Sequence, residues 1–383
     1  MRKFVLSQFV KSIDPSATMA INEKAKRLQA EEIKIYNFSA GEPDFPTPEN
    51  IKEAGIDAIK NNFTKYTSVR GISKLLEAIC QKLKKENNLN YTPEEIIVGN
   101  GAKEILYLSV RTVCEIGDEI IILAPHWGTF PEQVKLAGGK PVIVKTDDFR
   151  PSAKEIKKAI TNRTKAIILN SPNNPSGIIY TLEELKELAE IVLENEILVI
   201  TDEIYEKLLY DETKHYSFAA LDPKLKDLTI TVNGVSKTYS MTGWRIGYGA
   251  GPSYIIKKMA DLKSHLSTNS CLISQMAALE ALSGNQDSVK VMLSEYDRRR
   301  KYICQEFQTQ GIEFIKPQGA FYVFFKVNPK FDSLEFCERM LEKFQVALVP
   351  GEAFGTPGWV RLSYAVELDD IKEGIKRIKA FFA

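Results

Sequence analysis

Lys237 and Arg245 are the residues from which chemistry can be argued most directly. They lie in the stretch N-G-V-S-K-T-Y-S-M-T-G-W-R-I-G, which follows the apolar, β-branched run L-T-I-T-V. A lysine at the end of a buried strand, in a confined and partly apolar site, binds its proton weakly and becomes a usable amine nucleophile. The planar guanidinium of a nearby arginine suits a phosphate. The pair therefore indicates a site for a small molecule that carries an aldehyde and a phosphate.

Pyridoxal phosphate combines these two groups, and it is the cofactor that the stretch predicts. The alternative is that Lys237 lies on a solvated turn, as most of the 51 lysine and arginine residues do. The letters S-K-T also resemble the end of a phosphate-binding P-loop. That interpretation fails because no glycine immediately precedes the lysine.

Strands and helices alternate in the chain that must position these residues. Apolar runs predict strands at 95–98, 119–123, 141–144, 166–169, 198–200 and 228–232, and periodic segments predict helices at 104–113, 130–137, 152–160 and 182–194. This alternation predicts an α/β fold with a mostly parallel sheet covered on both faces. Ligands of such sheets bind at the carboxyl ends of the strands.

Five of the predicted strand ends carry groups suited to one aromatic, anionic ligand. These groups are Gly101 to Lys103, His126 with Trp127, Asn170 to Pro175, Asp202 to Tyr205, and Lys237. Gly101 and Ala102 leave backbone N–H groups free at the start of a helix, where the helix dipole favours an anion. We therefore expect the five strand ends to form one cofactor site.

Four of these side chains have roles that the chemistry of pyridoxal phosphate requires. Asp202 would keep the pyridine nitrogen protonated, which makes the ring an electron sink. Trp127 offers a flat face for stacking, and Asn174 and Tyr205 can donate hydrogen bonds to the phenolate oxygen. Taken singly, each also fits an ordinary role: a capped strand end, core packing, an Asn-Pro turn or a core tyrosine.

Composition and charge exclude several other classes of protein. The 383 residues include 51 basic and 50 acidic side chains and are 44% hydrophobic, which is typical of a globular protein with two domains. A formal charge of +1 gives no electrostatic case for nucleic acid or an anionic membrane. No apolar run approaches the roughly 20 residues of a membrane span.

The cysteines, the histidines and the first residues also bear on location and metal binding. Five scattered cysteines without CxxC spacing predict reduced thiols and a cytoplasmic protein. The apolar start is short and broken by Ser7 and Gln8, so no export signal is predicted. The three histidines lie too far apart in sequence to predict a metal site.

Taken together and in order, the motifs resemble those of class I aminotransferases of pyridoxal-phosphate fold type I. The resemblance is strongest to the bacterial and archaeal aspartate aminotransferases of subgroup Ib, and it covers nearly the whole chain. The motifs that carry it are P-S-A-T at Pro15, A-G-E-P-D-F at Ala40, K-Y-T at Lys65, N-G-A-K at Asn100, N-S-P-N-N-P-S-G at Asn170, D-E-I-Y at Asp202, S-K-T-Y-S-M-T-G-W-R-I-G at Ser236, G-A-F-Y at Gly319, V-A-L-V-P-G at Val346 and V-R-L-S-Y-A at Val360.

The resemblance implies catalytic and cofactor-binding roles. Lys237 matches the Schiff-base lysine that also catalyses the 1,3-proton shift, with Asp202 and Tyr205 as its catalytic partners. The residues that match cofactor-binding positions are Gly101, Ala102, Trp127, Asn174, Asp202, Tyr205, Lys237, Arg245 and Tyr66. Tyr66 matches a tyrosine that reaches the phosphate of the neighbouring subunit, which implies a homodimer with shared active sites.

The resemblance also implies substrate-binding roles. Arg361 matches the arginine that clamps the α-carboxylate, and Gly41 matches the backbone contact beside it. The complete set of matching substrate positions is Gly41, Lys103, Trp127, Asn174 and Arg361. The implied reaction transfers the amino group of L-aspartate to 2-oxoglutarate by a ping-pong mechanism, in which the cofactor alternates between its pyridoxal and pyridoxamine forms.

Four departures from the family pattern bear on substrate and cofactor. No arginine lies between Lys263 and Gln275, where enteric and animal aspartate aminotransferases hold the distal carboxylate; Lys103 matches the lysine of G-x-K that subgroup Ib uses instead. His126 replaces the usual tyrosine before the stacking tryptophan. Gly234 replaces a phosphate-binding serine of many relatives, so one phosphate contact is expected to be lost. Asp14 replaces a lysine of relatives that accept prephenate, which argues against prephenate as a substrate.

The family fold implies two domains. A large domain at 46–282 would hold a seven-stranded, mostly parallel sheet. A smaller α+β domain would combine residues 1–45 and 283–383, with a long helix at 286–308, strands at 321–326 and 360–365, and a last helix from Asp369. The separation of the two domains predicts closure on the substrate.

Rival functions differ in which residues they require. A dinucleotide-binding dehydrogenase would share the alternating pattern, but no G-x-G-x-x-G follows a strand. A regulator that keeps the fold without turnover would be expected to lack Lys237, Asp202 or Arg361, and all three are present. A β-lyase, or an aminotransferase that prefers an aromatic donor, alanine or prephenate, stays open within the same fold.

Overall fold

The computed structural model describes residues 4–11, 13, 17–328 and 330–382 of the chain. Its α-helices are α1 (Gln8–Lys11), α2 (Ala17–Ala30), α3 (Glu49–Lys60), α4 (Ser73–Asn87), α5 (Ala102–Val113), α6 (Thr129–Leu136), α7 (Ala153–Ala159), α8 (Leu182–Asn195), α9 (Pro223–Lys226), α10 (Ser253–Leu266), α11 (Leu272–Ser283), α12 (Asp287–Gln310), α13 (Ser333–Phe344) and α14 (Leu368–Phe382). Its strands are β1 (Tyr36–Asn37), β2 (Ile96–Gly99), β3 (Glu119–Ala124), β4 (Lys140–Lys145), β5 (Thr164–Asn170), β6 (Leu198–Asp202), β7 (Thr229–Gly234), β8 (Gly247–Ala250), β9 (Phe314–Ile315), β10 (Tyr322–Lys326), β11 (Val346–Ala347), β12 (Val349–Pro350) and β13 (Trp359–Ser363).

Part of the P-S-A-T motif lies outside these described residues. Pro15 and Ser16 belong to that part, and Asp14, which precedes the motif, is also outside the described residues. The expectation that Asp14 disfavours prephenate therefore stays a prediction.

A seven-stranded sheet forms the larger layer, in the order β2-β8-β7-β6-β5-β3-β4. Strand β8 pairs antiparallel with both of its neighbours, whereas the other pairs are parallel. Because β8 alone is reversed, β2 points in the same direction as β7. The predicted α/β class with a seven-stranded, mostly parallel sheet is confirmed.

Helices cover both faces of this sheet, and the strand sequences show why. Along β3, Ile120 and Ile122 pack in a cluster with α5, whereas Ile121 and Leu123 pack in a second cluster with α8. Successive side chains of a strand point to opposite faces. A strand buried on both faces therefore needs apolar residues at consecutive positions, as β3 has.

A second, four-stranded antiparallel sheet has the order β12-β13-β10-β9. Near it, β1 pairs in parallel with β11, which joins a segment near the start of the chain to one near its end. Helices α12 and α14 supply apolar residues to the core of this region, among them Phe307 and Ile375. The domain boundaries at 46 and 282 stay a prediction.

Several elements differ from the sequence-based expectation. Strand β1 has only two residues, because its partner β11 also has two residues. Helices α10, α11 and α13 and strand β8 were not predicted. The sequence of β8, G-Y-G-A, favours a turn. It nevertheless forms a strand, because the backbone at the start of α5 lies so close to β8 that a glycine is required there. A Cβ at Gly247 would lie 2.2 Å from the backbone nitrogen of Ala102.

No helix within the described residues has both the length and the apolarity needed to cross a membrane.

Candidate active site

A cavity of about 350 Å³ lies where the carboxyl ends of the sheet strands converge. Apart from Gly101 and Tyr66, the predicted site residues all line it: Gly41, Ala102, Lys103, Trp127, Asn174, Asp202, Tyr205, Lys237, Arg245 and Arg361. They meet there because β2, β3, β5, β6 and β7 all point in one direction. The tertiary structure thus brings the five predicted strand ends together.

Asp202 is the last residue of β6 and is 4% exposed. Its Oδ1 accepts a hydrogen bond from the backbone N–H of Ile204 at 3.2 Å. Burial raises the pKa of the Asp202 carboxyl to about 7; Glu203 raises it further, while the Ile204 amide and Lys237 oppose the rise. Among the described residues, no cationic side chain forms an ion pair with Asp202, so a cationic ligand atom would stabilise its ionised form.

Lys237 follows β7 and directs its amine into the cavity. The Nζ donates a hydrogen bond to the carbonyl oxygen of Gly41 at 2.5 Å. Burial lowers the pKa of the Lys237 ammonium to about 8; the Glu42 carboxylate opposes this shift, and Arg361 and Arg245 add to it. Near neutral pH this amine releases its proton more readily than an ordinary lysine does.

Gly101 and Arg245 form a cradle for an anion at the start of α5. Gly101 has φ of 87° and immediately precedes α5, and a Cβ there would lie 2.5 Å from Nη2 of Arg245. The guanidinium is held by Nη1 donating to the carbonyl of Thr242 at 2.7 Å and Nη2 donating to that of Asn100 at 3.2 Å. The first amides of a helix have no acceptor within it, so the guanidinium and the helix start together favour a phosphate.

Arg361 lies on β13 and is 1% exposed. Its Nη1 donates to Oδ1 of Asn174 at 3.0 Å and its Nη2 donates to the carbonyl of Ser39 at 2.6 Å, while the buried Nε has no partner. The ring of Tyr322 lies below it, with 4.5 Å between the guanidinium carbon and the ring centroid. The guanidinium is therefore held in place while one of its donors stays available.

Tyr205 shares a hydrogen bond with Tyr322, and the two hydroxyl oxygens are 2.7 Å apart. Burial raises the pKa of Tyr205 well above its usual value, and the neighbouring phenol of Tyr322 raises it further. Tyr205 is therefore a neutral hydroxyl near neutral pH. It can donate one hydrogen bond and accept others.

Lys103 lies in the first turn of α5, with its Nζ 4.9 Å from the centroid of the Trp127 ring. Burial lowers the pKa of the Lys103 ammonium, and Arg245 lowers it further. Among the described residues, no carboxylate forms an ion pair with it. Although part of the Lys103 side chain is exposed to solvent, the residue lines the cavity beside Trp127.

Tyr66 lies away from the cavity of its own chain. It is 88% exposed and lines a separate groove with Thr268 and Cys271. A direct role of Tyr66 in a cavity would therefore need a second copy of the chain.

The surroundings of His126 and Gly234 describe the two positions at which the chain replaces a residue of the family pattern within the described residues. His126 is 6% exposed, its Nδ1 lies 3.2 Å from the carbonyl oxygen of Trp127, and burial lowers the pKa of its imidazole. A Cβ at Gly234 would lie 2.9 Å from Cα of Gly247. A serine there would press on β8, which explains a glycine at that position.

Glu42, Asn170 and Tyr322 also line the cavity; their motifs were quoted, but no individual role was predicted for these side chains. Asn170 donates to the carbonyl of Asp202 at 3.0 Å and accepts from the N–H of Asn174 at 2.9 Å. It thereby ties the end of β5 to that of β6. Glu42 accepts a hydrogen bond from Thr242 across the cavity wall. Their positions in the motifs A-G-E-P-D-F, N-S-P-N-N-P-S-G and G-A-F-Y are the sequence feature from which they could have been predicted.

The residues around the cavity fit pyridoxal phosphate. The cradle at Gly101 suits the phosphate, and the buried Asp202 lacks the cationic partner that a protonated pyridine would supply. Lys237 offers an amine with a lowered pKa. Each of these features belongs to a different part of the same ligand.

Comparisons with known proteins point to one family. The model of the family described as aminotransferase class I and II matches residues 33–378. The chain is 46% identical to an aspartate aminotransferase of Bacillus sp. strain YM-2, over 99% of both chains. It is 44% identical to a probable aspartate/prephenate aminotransferase of Aquifex aeolicus, over 99% of this chain and 98% of that protein. The aspartate aminotransferase of Thermus thermophilus, solved with maleate, superposes with a TM-score of 0.94 at 41% identity, covering 99% of this chain and all of that one (100%).

Proposed function

Because the chain belongs to the aminotransferase class I and II family, we propose that it is an aspartate aminotransferase, which transfers the amino group of L-aspartate to 2-oxoglutarate. The observation that carries the choice of substrate is a pair of cavity cations, Arg361 and Lys103, that no carboxylate of the described residues neutralises. Aspartate and 2-oxoglutarate each bring two carboxylates. A guanidinium and an ammonium in one partly dry cavity match that charge.

The relatives support this choice. The protein of Bacillus sp. strain YM-2 is named an aspartate aminotransferase, and the Thermus structure holds maleate, a compound with two carboxylates. The Aquifex protein is named for both aspartate and prephenate, so the test below includes neutral and aromatic donors.

When bound, pyridoxal phosphate supplies an aldehyde that condenses with amines and a ring that accepts electrons. Gly101, Ala102 and Arg245 would hold its phosphate, Trp127 would stack against its ring, and Asn174 and Tyr205 would donate hydrogen bonds to its phenolate oxygen. Asp202 would hold the proton on its ring nitrogen. Together these residues would hold the cofactor next to Lys237.

Lys237 and Arg361 would act on the substrate itself. Arg361 holds the α-carboxylate with its planar fork, next to the backbone of Gly41. The amine of Lys237 would take up and return the proton on the α-carbon of the substrate. The lowered pKa of Lys237 suits this task because the best proton carriers titrate near the working pH.

The proposal is tested by the absorption spectrum of the purified protein before and after addition of aspartate. The protein is expected to be yellow, and aspartate is expected to replace the visible band by one at shorter wavelength. 2-Oxoglutarate should then restore the visible band. A colourless protein that gains no band with added pyridoxal phosphate would contradict the proposal. A response to alanine or an aromatic amino acid, but not to aspartate, would reassign the donor.

Lys103→Ala is expected to lower kcat/KM for aspartate and glutamate roughly ten- to more than hundredfold. An ammonium–carboxylate contact in a partly dry cavity is worth on the order of 1.5–3 kcal/mol. Alanine and aromatic amino acids have no distal carboxylate, so their kcat/KM values should change little. Steady-state kinetics with the four substrates measures the difference.

The control for this variant is Lys257→Ala, which removes an exposed lysine of α10. It should leave all four kcat/KM values unchanged. Equal losses for acidic and neutral substrates in Lys103→Ala would mean that Lys103 acts through structure and does not select the substrate.

We also propose that the functional unit is a homodimer in which Tyr66 reaches the partner's phosphate site. Mixed dimers of Lys237→Ala and Tyr66→Ala chains are expected to recover up to about a quarter of wild-type activity, since half of the dimers in a random mixture are hybrids with one intact site. Each variant alone supplies no complete site. The assay compares the refolded mixture with each variant treated in the same way. An active monomer in sedimentation would contradict the shared site.

A further inference from the structure

The turn that follows β6 has two faces. One face lines the cavity, and the opposite face points away from the cavity into the protein interior. Asp202 and Tyr205 line the cavity. Glu203 and Glu206 each come one residue later, do not line it, and are 0% and 7% exposed. Backbone hydrogen bonds from Glu206 to Glu203, at 3.0 Å, and from Leu208 to Tyr205, at 2.8 Å, make the turn compact. A change behind the turn is therefore transmitted to its cavity face.

Glu203 is held by three side chains. His215 lies with its Nε2 3.1 Å from Oε2 of Glu203, and Ser217 donates its hydroxyl to the same oxygen at 2.6 Å. Thr201 donates to Oε1 at 3.2 Å. Every partner of this carboxylate is thus another buried side chain.

Glu206 is held from the opposite side by α4. The ammonium of Lys82 forms an ion pair with Oε1 of Glu206, and Asn87 donates to Oε2 at 2.6 Å. Asn87 also donates to the hydroxyl of Ser217 at 2.7 Å, which links the two carboxylates through one network. We call Lys82, Glu203, Glu206 and His215 the back cluster.

The charge of the back cluster depends on the protonation of His215. Two carboxylates and one ammonium leave a net negative charge unless His215 is an imidazolium. An uncompensated buried charge is costly. Burial disfavours the imidazolium, but the Glu203 and Glu206 carboxylates together outweigh burial, so the pKa of His215 is raised. Burial likewise disfavours the Glu206 carboxylate, but Lys82 and His215 lower its pKa to about 2.

A metal ion is a poorer occupant of the same place. Possible ligand atoms of Glu203, Glu206 and His215 lie within 4.8 Å of one another. However, Lys82 already supplies a cation to Glu206, and a metal would have to displace it. Other titratable groups face the back cluster from its rim and from the packed elements: Glu86, Lys207, Asp202, Tyr91, Tyr239 and Tyr248. Glu86 and Lys207 form an ion pair at 2.7 Å and so add no net charge.

We propose that His215 is a positioning residue for the cofactor site, which as an imidazolium neutralises Glu203 and prevents negative charge from accumulating behind Asp202. The inference rests on the proposed function, because Asp202 is the residue that would hold the ring nitrogen. The neutral back cluster braces the turn against α4. It thereby keeps Asp202 ionised and Tyr205 in place on the cavity face.

The inference is tested by the pH titration of the visible absorption of the bound cofactor. His215→Gln removes a positive charge close to the cofactor site. Loss of that charge raises the pKa of the group whose protonation changes the visible absorption. The titration midpoint is expected to rise by about half a pH unit or more. The double variant Glu203→Gln/His215→Gln removes both charges and should return the midpoint close to the wild-type value. A purely structural role of His215 would not produce that return.

A matched control is His265→Gln, which removes an exposed histidine of α10 and should leave the midpoint unchanged. An unchanged midpoint in His215→Gln would overturn the inference. The same holds if Glu203→Gln/His215→Gln fails to reverse the shift.

A second measurement needs no variant in the cluster and so does not depend on the folding of His215→Gln. The chain has three histidines, so NMR of histidine-labelled protein can follow each imidazole. His265→Gln and His126→Gln assign two of the resonances, and the third belongs to His215. His215 is expected to be protonated at pH 7, and a neutral His215 would overturn the inference. A wild-type protein that binds no cofactor would overturn the proposed function instead, and the imidazole titration of the apoprotein would still test the charge of His215.

Discussion

Lys237→Ala is expected to abolish turnover, with a loss of at least about 10⁴-fold. Covalent attachment of the cofactor and proton transfer would disappear together, and proton transfer alone contributes typically 10²–10⁴-fold. The protein should also lose the visible band that depends on the amine, while phosphate contacts retain weak cofactor binding. Single-turnover assays with aspartate measure the loss without interference from cofactor release.

Borohydride reduction followed by peptide mapping gives the matching test in the wild-type protein. Burial also lowers the pKa of the ammonium groups of Lys103 and Lys263, so a lowered pKa by itself does not identify the reactive amine. Geometry sets Lys263 apart, since its amine donates to the carbonyl of Thr268 outside the cavity. Lys103 and Lys237 both line the cavity, so peptide mapping must distinguish these two. The label is expected on Lys237, and a label on either of the others would refute the assignment.

Arg361→Met is expected to lower kcat/KM for aspartate by about 10²–10⁴-fold. The variant leaves the α-carboxylate without its buried cation, and such a loss costs about 3–5 kcal/mol. It also releases Asn174 and the Ser39 carbonyl from their shared partner. Arg361→Lys keeps the charge but not the fork, so its loss should be intermediate.

Two comparisons separate substrate binding from damage to the cavity. Cofactor absorption should survive in Arg361→Met, because the phosphate cradle of Gly101 and Arg245 lies elsewhere on the cavity wall. Arg298→Met removes an arginine of α12 with a 59% exposed side chain and should leave kcat/KM unchanged. If Arg361→Met slowed an amine without a carboxylate as much as it slowed aspartate, the clamp would be refuted.

Both variants test residues that the sequence identified by chemical type. The apolar runs and the alternation of strands and helices predicted the sheet, and the residues just past its strand ends predicted one cofactor site. The motifs predicted a class I aminotransferase, and the family match over 33–378 confirms it. These features are readable from sequence because hydrophobic periodicity is local and reactive side chains are few.

The sequence was less informative where local preference and tertiary demand disagree. Strand β8 is the example: its glycines favour a turn, yet the close approach of Gly247 to the start of α5 requires them in a strand. Helix α11 was missed because its sequence, L-I-S-Q-M-A-A-L-E-A-L-S, is largely apolar and has no clear polar face. In both cases packing outweighed the local signal.

Only the tertiary structure decided which charges in and behind the cavity are neutralised by another side chain. Arg361 lies 187 residues from Asn174 and 322 from Ser39 in the chain, and Lys82 lies 124 residues from Glu206. A sequence pattern states that lysines, arginines and carboxylates are present, but it does not say which of them meet. The sequence by itself determined the fold class and the family, and it predicted the reactive residues, because these depend on local periodicity and side-chain chemistry. The unpaired state of Lys103 and Arg361, and the ion pairs behind Asp202, arise from contacts between distant segments, which form only when the sheet and its helices assemble.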